Sequence, residues 1–140
     1  MQEWALWALA SAVFAALTAI FAKVGIEGID SNFATFIRTL VIVVALILFL
    51  TYAKKWQSLE TLSAKNWLFL ILSGLATGVS WLAYFKALQI GKASQVAPID
   101  KFSLVLVVVF AVIFLGERPN IKEWLGIGLI ASGVFVLVFK

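Results

Sequence analysis

The chain contains no cysteine and no histidine among its 140 residues. The absence of cysteine excludes disulfides, thiolate metal sites and cysteine nucleophiles. Without histidine, the seven scattered acidic residues cannot form a metal cluster, and no Ser-His-Asp arrangement can be assembled. We therefore expect no enzymatic activity, no bound metal and no cofactor.

Charged residues are also scarce, at 13% of the chain, and the formal net charge is +4 at pH 7. Lysine and arginine lie in short loops, not in a basic patch interleaved with aromatic residues, so we expect no nucleic-acid partner. Basic residues in the loops of a membrane protein instead help to set its orientation.

Hydrophobic residues make up 64% of the chain, and the mean hydropathy is +1.08. The apolar runs are continuous and about 20 residues long, which is the length of a membrane-spanning helix and not of a barrel strand. We therefore predict an all-α integral membrane bundle, multi-pass in the cell inner or plasma membrane, as a single domain over residues 1–140. The predicted helices are 4–24, 32–52, 67–87, 94–115 and 124–139.

The first predicted helix carries alanines spaced by three and four residues, which gives one face where another backbone can approach closely. The alanines of this face are Ala5, Ala8, Ala12, Ala15, Ala19 and Ala22. Ordinary alanine in a good helix former is the alternative interpretation.

The connection 25–31 contains Gly28 and Asp30 as turn residues and predicts an antiparallel hairpin. The longest loop, 53–66, is where we expect the chain to divide into two pieces of one bundle.

Arg38 lies about six residues inside the second predicted helix, or about 9 Å deep at 1.5 Å per residue. A long guanidinium stem can reach the headgroups from that depth. The other interpretation is a paired or functional arginine, because an ionisable side chain inside the membrane marks a candidate site.

A polar stripe with spacing four, three and four marks the third predicted helix, beside the Gly-x-x-x-Gly motif of Gly74 and Gly78. Trp81 lies just off the stripe at mid-helix, away from the interface where tryptophan is usually anchored. One interpretation is helix packing, with hydroxyls bonded to the preceding turn. The other is a cavity wall, with the glycines packing and the hydroxyls facing water. The stripe consists of Ser73, Thr77, Ser80 and Tyr84.

Asp100 is the only carboxylate inside any predicted span, and its depth from the membrane face matches that of Arg38 on the same side. An Arg38–Asp100 ion pair is therefore a hypothesis, with Lys101 as a competing cation on a different helix face. The alternative boundary starts the helix at Pro98, which would make Asp100 an ordinary acid of the first turn.

The chain resembles the EamA-type repeat of the drug/metabolite transporter superfamily over essentially its whole length. The resemblance implies a half-size transporter, because larger members combine two five-helix repeats in opposite orientations around a substrate cavity. It depends on Phe21 to Gly25 with Phe36, Ile37, Arg38 and Thr39, then on Tyr84, Ala87, Leu88, Ala93, Ala97 and Pro98, and finally on Gly116, Glu117, Trp124, Gly126 and Gly133.

The distribution of basic residues predicts an antiparallel homodimer. Five lie on the N-terminal side of the membrane and six on the other, and setting aside the embedded Arg38 and Lys101 leaves five against four. Because the lysine and arginine bias sets orientation, a near tie favours insertion both ways. The two groups are Lys54, Lys55, Lys65, Arg118 and Lys122, and Lys23, Arg38, Lys86, Lys92, Lys101 and Lys140.

These features together predict a secondary transporter or exporter of a small organic solute, working by alternating access in a dimer. The alternative is an accessory or structural subunit of a membrane complex, such as a lipid-linked sugar flippase. The predicted substrate-binding residues are Arg38, Thr77, Ser80, Trp81, Tyr84, Asp100 and Lys101.

Overall fold

A computed structural model of the protein describes residues 3–139, so Lys140, which enters the charge count, lies outside the described residues. Helices and turns account for the regular structure in this range, and it contains no strand, which confirms the predicted all-α class. The helices are α1 (Glu3–Gly25), α2 (Ser31–Tyr52), α3 (Ala64–Ile90), α4 (Ala93–Asp100), α5 (Phe102–Phe110) and α6 (Ile121–Val138), with a 3₁₀ turn at Leu59–Thr61 and a π-helical turn at Ala111–Leu115.

Five segments between residues 3 and 139 are long and apolar enough to cross a membrane, in agreement with the predicted spans. In chain order they are α1, α2, α3, the segment Ala93–Leu115 and α6. With 27 residues, α3 is longer than predicted at both ends. Its length of about 40 Å exceeds a hydrocarbon core of about 30 Å, so it is long enough for its ends to reach the interfacial regions.

Large apolar side chains are exposed along every spanning segment, as Leu48 at 65% and Leu129 at 75% illustrate. Such a surface would be insoluble in water, but lipid tails cover it in a bilayer. The few buried residues mark the places where helices pack on each other.

The chain forms two compact units that divide between Ile90 and Gly91. The prediction of a division in the 53–66 loop is therefore wrong. The helices on either side of that loop, α2 and α3, pack against each other, and the loop joins two members of one unit.

In the first unit, α1 and α2 both pack on α3. Ala19 and Ala22 are buried and Ala5 is half-buried, whereas the alanines between them are exposed, so close packing on this face is seen mainly near the end of α1. The turn to α2 uses the predicted residues. Gly28 adopts φ +76°, and the Asp30 side chain accepts hydrogen bonds from the backbone N–H groups of Asn32 and Phe33.

In the second unit, the predicted continuous helix 94–115 is broken at Lys101, between α4 and α5. Pro98 lies inside α4, which begins at Ala93, so the alternative helix start at Pro98 is also wrong. Proline has no N–H for the carbonyl of Ser94, which weakens the helix at this point. The Lys101 N–H then bonds to the Pro98 carbonyl and Leu104 N–H bonds to the Lys101 carbonyl, both in the tighter three-residue pattern.

The far end of this span closes at a glycine. Gly116 has φ +68°, and both its N–H and that of Glu117 donate to the Ala111 carbonyl. A reciprocal pair of hydrogen bonds between Asn120 and Glu123 then begins α6. The two turns connect the spans without a long loop.

Candidate functional site

Arg38 packs its guanidinium against an aromatic ring of the next helix. Its Cζ lies 3.9 Å from the centroid of the Phe85 ring, a cation–π contact. Phe85 is 2% exposed, so water does not compete for the face of the ring. The Arg38 Nη1 nitrogen is itself buried, although the side chain as a whole is half-buried.

The predicted stripe on α3 meets Arg38 through the same ring. Tyr84 contacts Phe85 edge to face, with 5.4 Å between the ring centroids. Trp81 and Tyr84 are half-buried, whereas Thr77 and Ser80 are exposed. The first unit therefore brings together the Tyr84 end of the stripe and Arg38, two of the predicted binding residues.

The polar end of the stripe follows the helix-packing interpretation in one respect. The Thr77 hydroxyl donates to the Ser73 carbonyl at 2.9 Å, which satisfies it within α3. A Cβ added to Gly74 or Gly78 would meet no described atom within 4 Å, so close packing at these glycines is not seen within residues 3–139. This face of α3 remains available to lipid or to another protein.

Asp100 and Lys101 lie at the break between α4 and α5 in the second unit. The Lys101 ammonium is 3.6 Å from the Asp100 carboxylate, an ion pair between adjacent residues. Lys101 is therefore a cation in contact with Asp100, and its competition with Arg38 for that carboxylate stays a prediction. The Arg38–Asp100 pair would join the two units and stays a prediction.

Two polar side chains that the sequence analysis did not single out hold the end of α3. The Lys23 ammonium donates to the Leu88 carbonyl at 2.6 Å, and the Gln89 amide donates to the Ile29 carbonyl at 2.7 Å. Leu88 is fully buried beside these bonds. They fix the end of α3 against α1 and the α1–α2 turn, and so hold Phe85 in place one turn earlier.

Phe85 is the main residue that the sequence analysis missed. It directly follows Tyr84 and pairs with buried Leu88 at a spacing of three, which is a signal for a packed helix face. The chain has 12 phenylalanines, however, and spacing does not identify which of them contacts Arg38.

The amino-acid sequence is similar to a known protein family over almost its whole length. A family model described as the EamA-like transporter family matches residues 2–139. The "Uncharacterized transporter in cobO 3'region" of Sinorhizobium sp is 54% identical over 136 residues, which cover 97% of this chain and 96% of that relative. No solved structure matches the chain.

Two further relatives differ in how much of their length is matched. The "Uncharacterized transporter YxxF" of Bacillus subtilis is 28% identical over 136 residues, but these cover only 42% of that protein. A protein of Yersinia pestis named "Probable 4-amino-4-deoxy-L-arabinose-phosphoundecaprenol flippase subunit ArnE" is 29% identical over 68 residues, which cover 49% of this chain and 60% of the relative.

Proposed function

Since this multi-pass membrane protein belongs to the EamA-like transporter family, we propose that it is a secondary transporter or exporter of a small organic solute. It acts as a dimer by alternating access in the cell inner or plasma membrane, and it catalyses no chemical reaction. The family match over residues 2–139 is the observation that carries this proposal.

The proposed solute site contains the seven residues predicted from the sequence. In the first unit, the contact of Arg38 with Phe85, and of Phe85 with Tyr84, supports a role for this end of α3. Arg38 neutralises an acidic group of the solute, while Trp81 and Tyr84 provide aromatic contact and a hydroxyl. Thr77, Ser80, Asp100 and Lys101 complete the proposed path.

A second copy of the chain supplies the other half of the path. The match to 96% of one relative and to only 42% of another supports a unit that recurs in proteins of different length. The near tie in basic residues supports an antiparallel arrangement of two identical chains. The two units of each chain then work together as a single membrane domain.

Flux measurements in proteoliposomes test the solute path. The proteoliposomes are loaded with a mixture of unlabelled amino acids, organic acids and amines, and counterflow uptake of the radiolabelled solutes is compared for wild type, Asp100→Asn and the control Glu60→Gln in the exposed loop. We expect loss of flux only for Asp100→Asn. Unchanged flux and pH dependence in that variant would remove the carboxylate from the mechanism, and no flux of any solute by wild type would contradict transport.

Orientation is measured with single cysteines, which the cysteine-free chain allows without further changes. Glu27→Cys and Ser58→Cys place exposed thiols in the first and second connections, on opposite sides of the membrane. In a dual-topology protein, a membrane-impermeant maleimide labels about half of each variant from outside. Labelling of only one variant from outside would exclude the antiparallel homodimer.

An accessory subunit is the second candidate, favoured by the match to a flippase subunit over 68 residues. In that case, this chain completes a complex with a different membrane protein, such as the other half of a lipid-linked sugar flippase. The purified chain alone would then bind and transport no soluble metabolite, and it would co-purify with that distinct protein in a fixed ratio. A self-sufficient homodimer with flux excludes this candidate.

A further inference from the structure

A cleft of about 250 Å³ lies between the end of α1 and the start of α2. We call it the α1–α2 cleft. Every lining residue is apolar or glycine except Arg38. The lining residues are Phe21, Ala22, Gly25, Ile26, Ile29, Ala34, Ile37 and Arg38. The cleft is thus an apolar space with a single cation in its wall.

Arg38 has a buried nitrogen without a hydrogen-bond acceptor among the described residues. Its Nη1 nitrogen is buried and has no hydrogen-bond partner among residues 3–139. The Phe85 ring stabilises the positive charge but offers no oxygen lone pair to the N–H groups. A buried charged donor without an acceptor costs more than a neutral one, so the described residues compensate the Arg38 charge only in part.

The acidic residues nearest to Arg38 in sequence do not supply an acceptor in the cleft. Asp30 uses its carboxylate to cap α2 through two backbone N–H groups. Glu27 is exposed in the α1–α2 turn, and neither residue lines the cleft. The lining therefore carries a positive charge that no acid of the lining offsets.

We propose that the α1–α2 cleft binds an amphiphilic organic anion. Its carboxylate or phosphate group accepts hydrogen bonds from the Arg38 guanidinium, whose planar fork matches both groups. Its apolar part occupies the space beside Phe21, Ile26 and Ile37. Since ligand pockets typically begin at about 300 Å³, the cleft fits a short apolar body or the first part of a longer chain.

This site is separate from the proposed solute path except for Arg38. Thr77, Ser80, Trp81 and Tyr84 of α3 do not line the cleft. The inference concerns equilibrium binding, so it stands or fails independently of transport. An anion with an apolar tail can come from the aqueous phase or from a membrane lipid, and the experiment separates these sources.

The test measures binding to the full chain in phosphatidylcholine nanodiscs, with empty nanodiscs subtracted. The probe is octyl phosphate, and the comparison ligands are octanol and inorganic phosphate. We expect saturable binding of octyl phosphate and at least tenfold weaker binding of each comparison ligand. Equal binding of octanol would show that the charge is not recognised, and equal binding of inorganic phosphate would show that the cleft is not used; either result overturns the proposal.

The matched pair Arg38→Gln and Arg118→Gln tests the cation, because these are the two arginines of the chain. We expect at least a tenfold loss of octyl phosphate affinity in Arg38→Gln and none in Arg118→Gln, which lies in an exposed loop. Wild-type affinity in a folded Arg38→Gln protein overturns the proposal.

A second pair tests the space without changing the charge. A Cβ on Gly25 meets no described atom within 4 Å, so Gly25→Leu can fill the cleft without a clash at its Cβ. Gly126→Leu is the control, because Gly126 is equally open and lies on α6. We expect lost binding in Gly25→Leu alone, and unchanged affinity in that variant overturns the proposal even if Arg38→Gln does not fold.

Phosphatidylglycerol in the nanodisc identifies the source of the natural anion. Competition with octyl phosphate indicates that a lipid headgroup occupies Arg38, as expected for a cleft at membrane depth. Binding that is unaffected by this lipid assigns the cleft to a soluble amphiphile.

Discussion

Replacing Phe85 with leucine should weaken the first unit in a way that depends on Arg38. Leucine keeps most of the buried hydrocarbon but removes the aromatic face that lies 3.9 Å from the guanidinium carbon. The ring is 2% exposed, so the charge loses a desolvated partner. The Arg38 guanidinium, whose Nη1 has no hydrogen-bond partner among the described residues, then also loses its contact with the aromatic ring.

The expected effect has three parts. A cation–π contact contributes about 2 kcal/mol when desolvated and less at exposed sites, so half-buried Arg38 supports about 1 to 2 kcal/mol. The edge contact between Tyr84 and Phe85 contributes about 0.5 to 1.5 kcal/mol. The lost ring carbons and the space that they leave add about 1 to 3 kcal/mol. Only the first part depends on Arg38.

A double-mutant cycle isolates that part. Unfolding in SDS mixed micelles is followed by circular dichroism for wild type, Phe85→Leu, Arg38→Met and the double variant. We expect a coupling free energy of about 1 to 2 kcal/mol, which is roughly a 5- to 30-fold change in the unfolding constant. Phe69→Leu, on an exposed part of α3, is the control and should show no coupling. Coupling below about 0.3 kcal/mol for Phe85 would refute the contact as a source of stability, because additive sites agree within about that amount.

Other substitutions test the turns and the helix contacts. Gly116→Ala should destabilise by about 1 to 2 kcal/mol in the same unfolding assay, since φ +68° is strained for any residue with a Cβ. Lys54, at φ +53°, ends α2 in a Schellman turn closed by Lys55 N–H and the Leu50 carbonyl, so Lys54→Gly should instead stabilise by about 1 kcal/mol; a loss would contradict the turn. Asn120→Ala should cost about 1 kcal/mol through the lost N-cap of α6, and Asn120→Asp should retain most of it. Lys23→Met should cost about 1.5 to 3 kcal/mol and raise hydrogen exchange near Leu88, and unchanged exchange there would show that this bond does not hold α3.

The residues alone were sufficient to predict the class of protein, the five spans and the turn at Gly28 and Asp30. These features are local, because a span needs about 20 apolar residues and a turn needs specific backbone freedom. The family also follows from the order of motifs along the chain. The stripe on α3 was predicted in the same way, since spacing defines which side chains share a helix face.

The break at Lys101 shows where this reasoning stops. Pro98 has two opposite meanings, as a favoured residue of the first helical turn or as an interruption inside a helix. Its meaning depends on whether the backbone from Ala93 onward is helical, and α4 shows that it is. The ion pair between Asp100 and Lys101 lies at that break.

The contact of Arg38 with Phe85 and the opening of the α1–α2 cleft depend on the tertiary structure. Spacing defines the faces of one helix, but the rotation of that helix about its axis is set by the helix against which it packs. Here α1 and α2 both pack on α3, which directs Arg38 onto the Phe85 ring and leaves an apolar space beside the same guanidinium. A membrane sequence leaves this rotation undetermined, because lipid is as apolar as the helix core and exerts little preference between apolar faces.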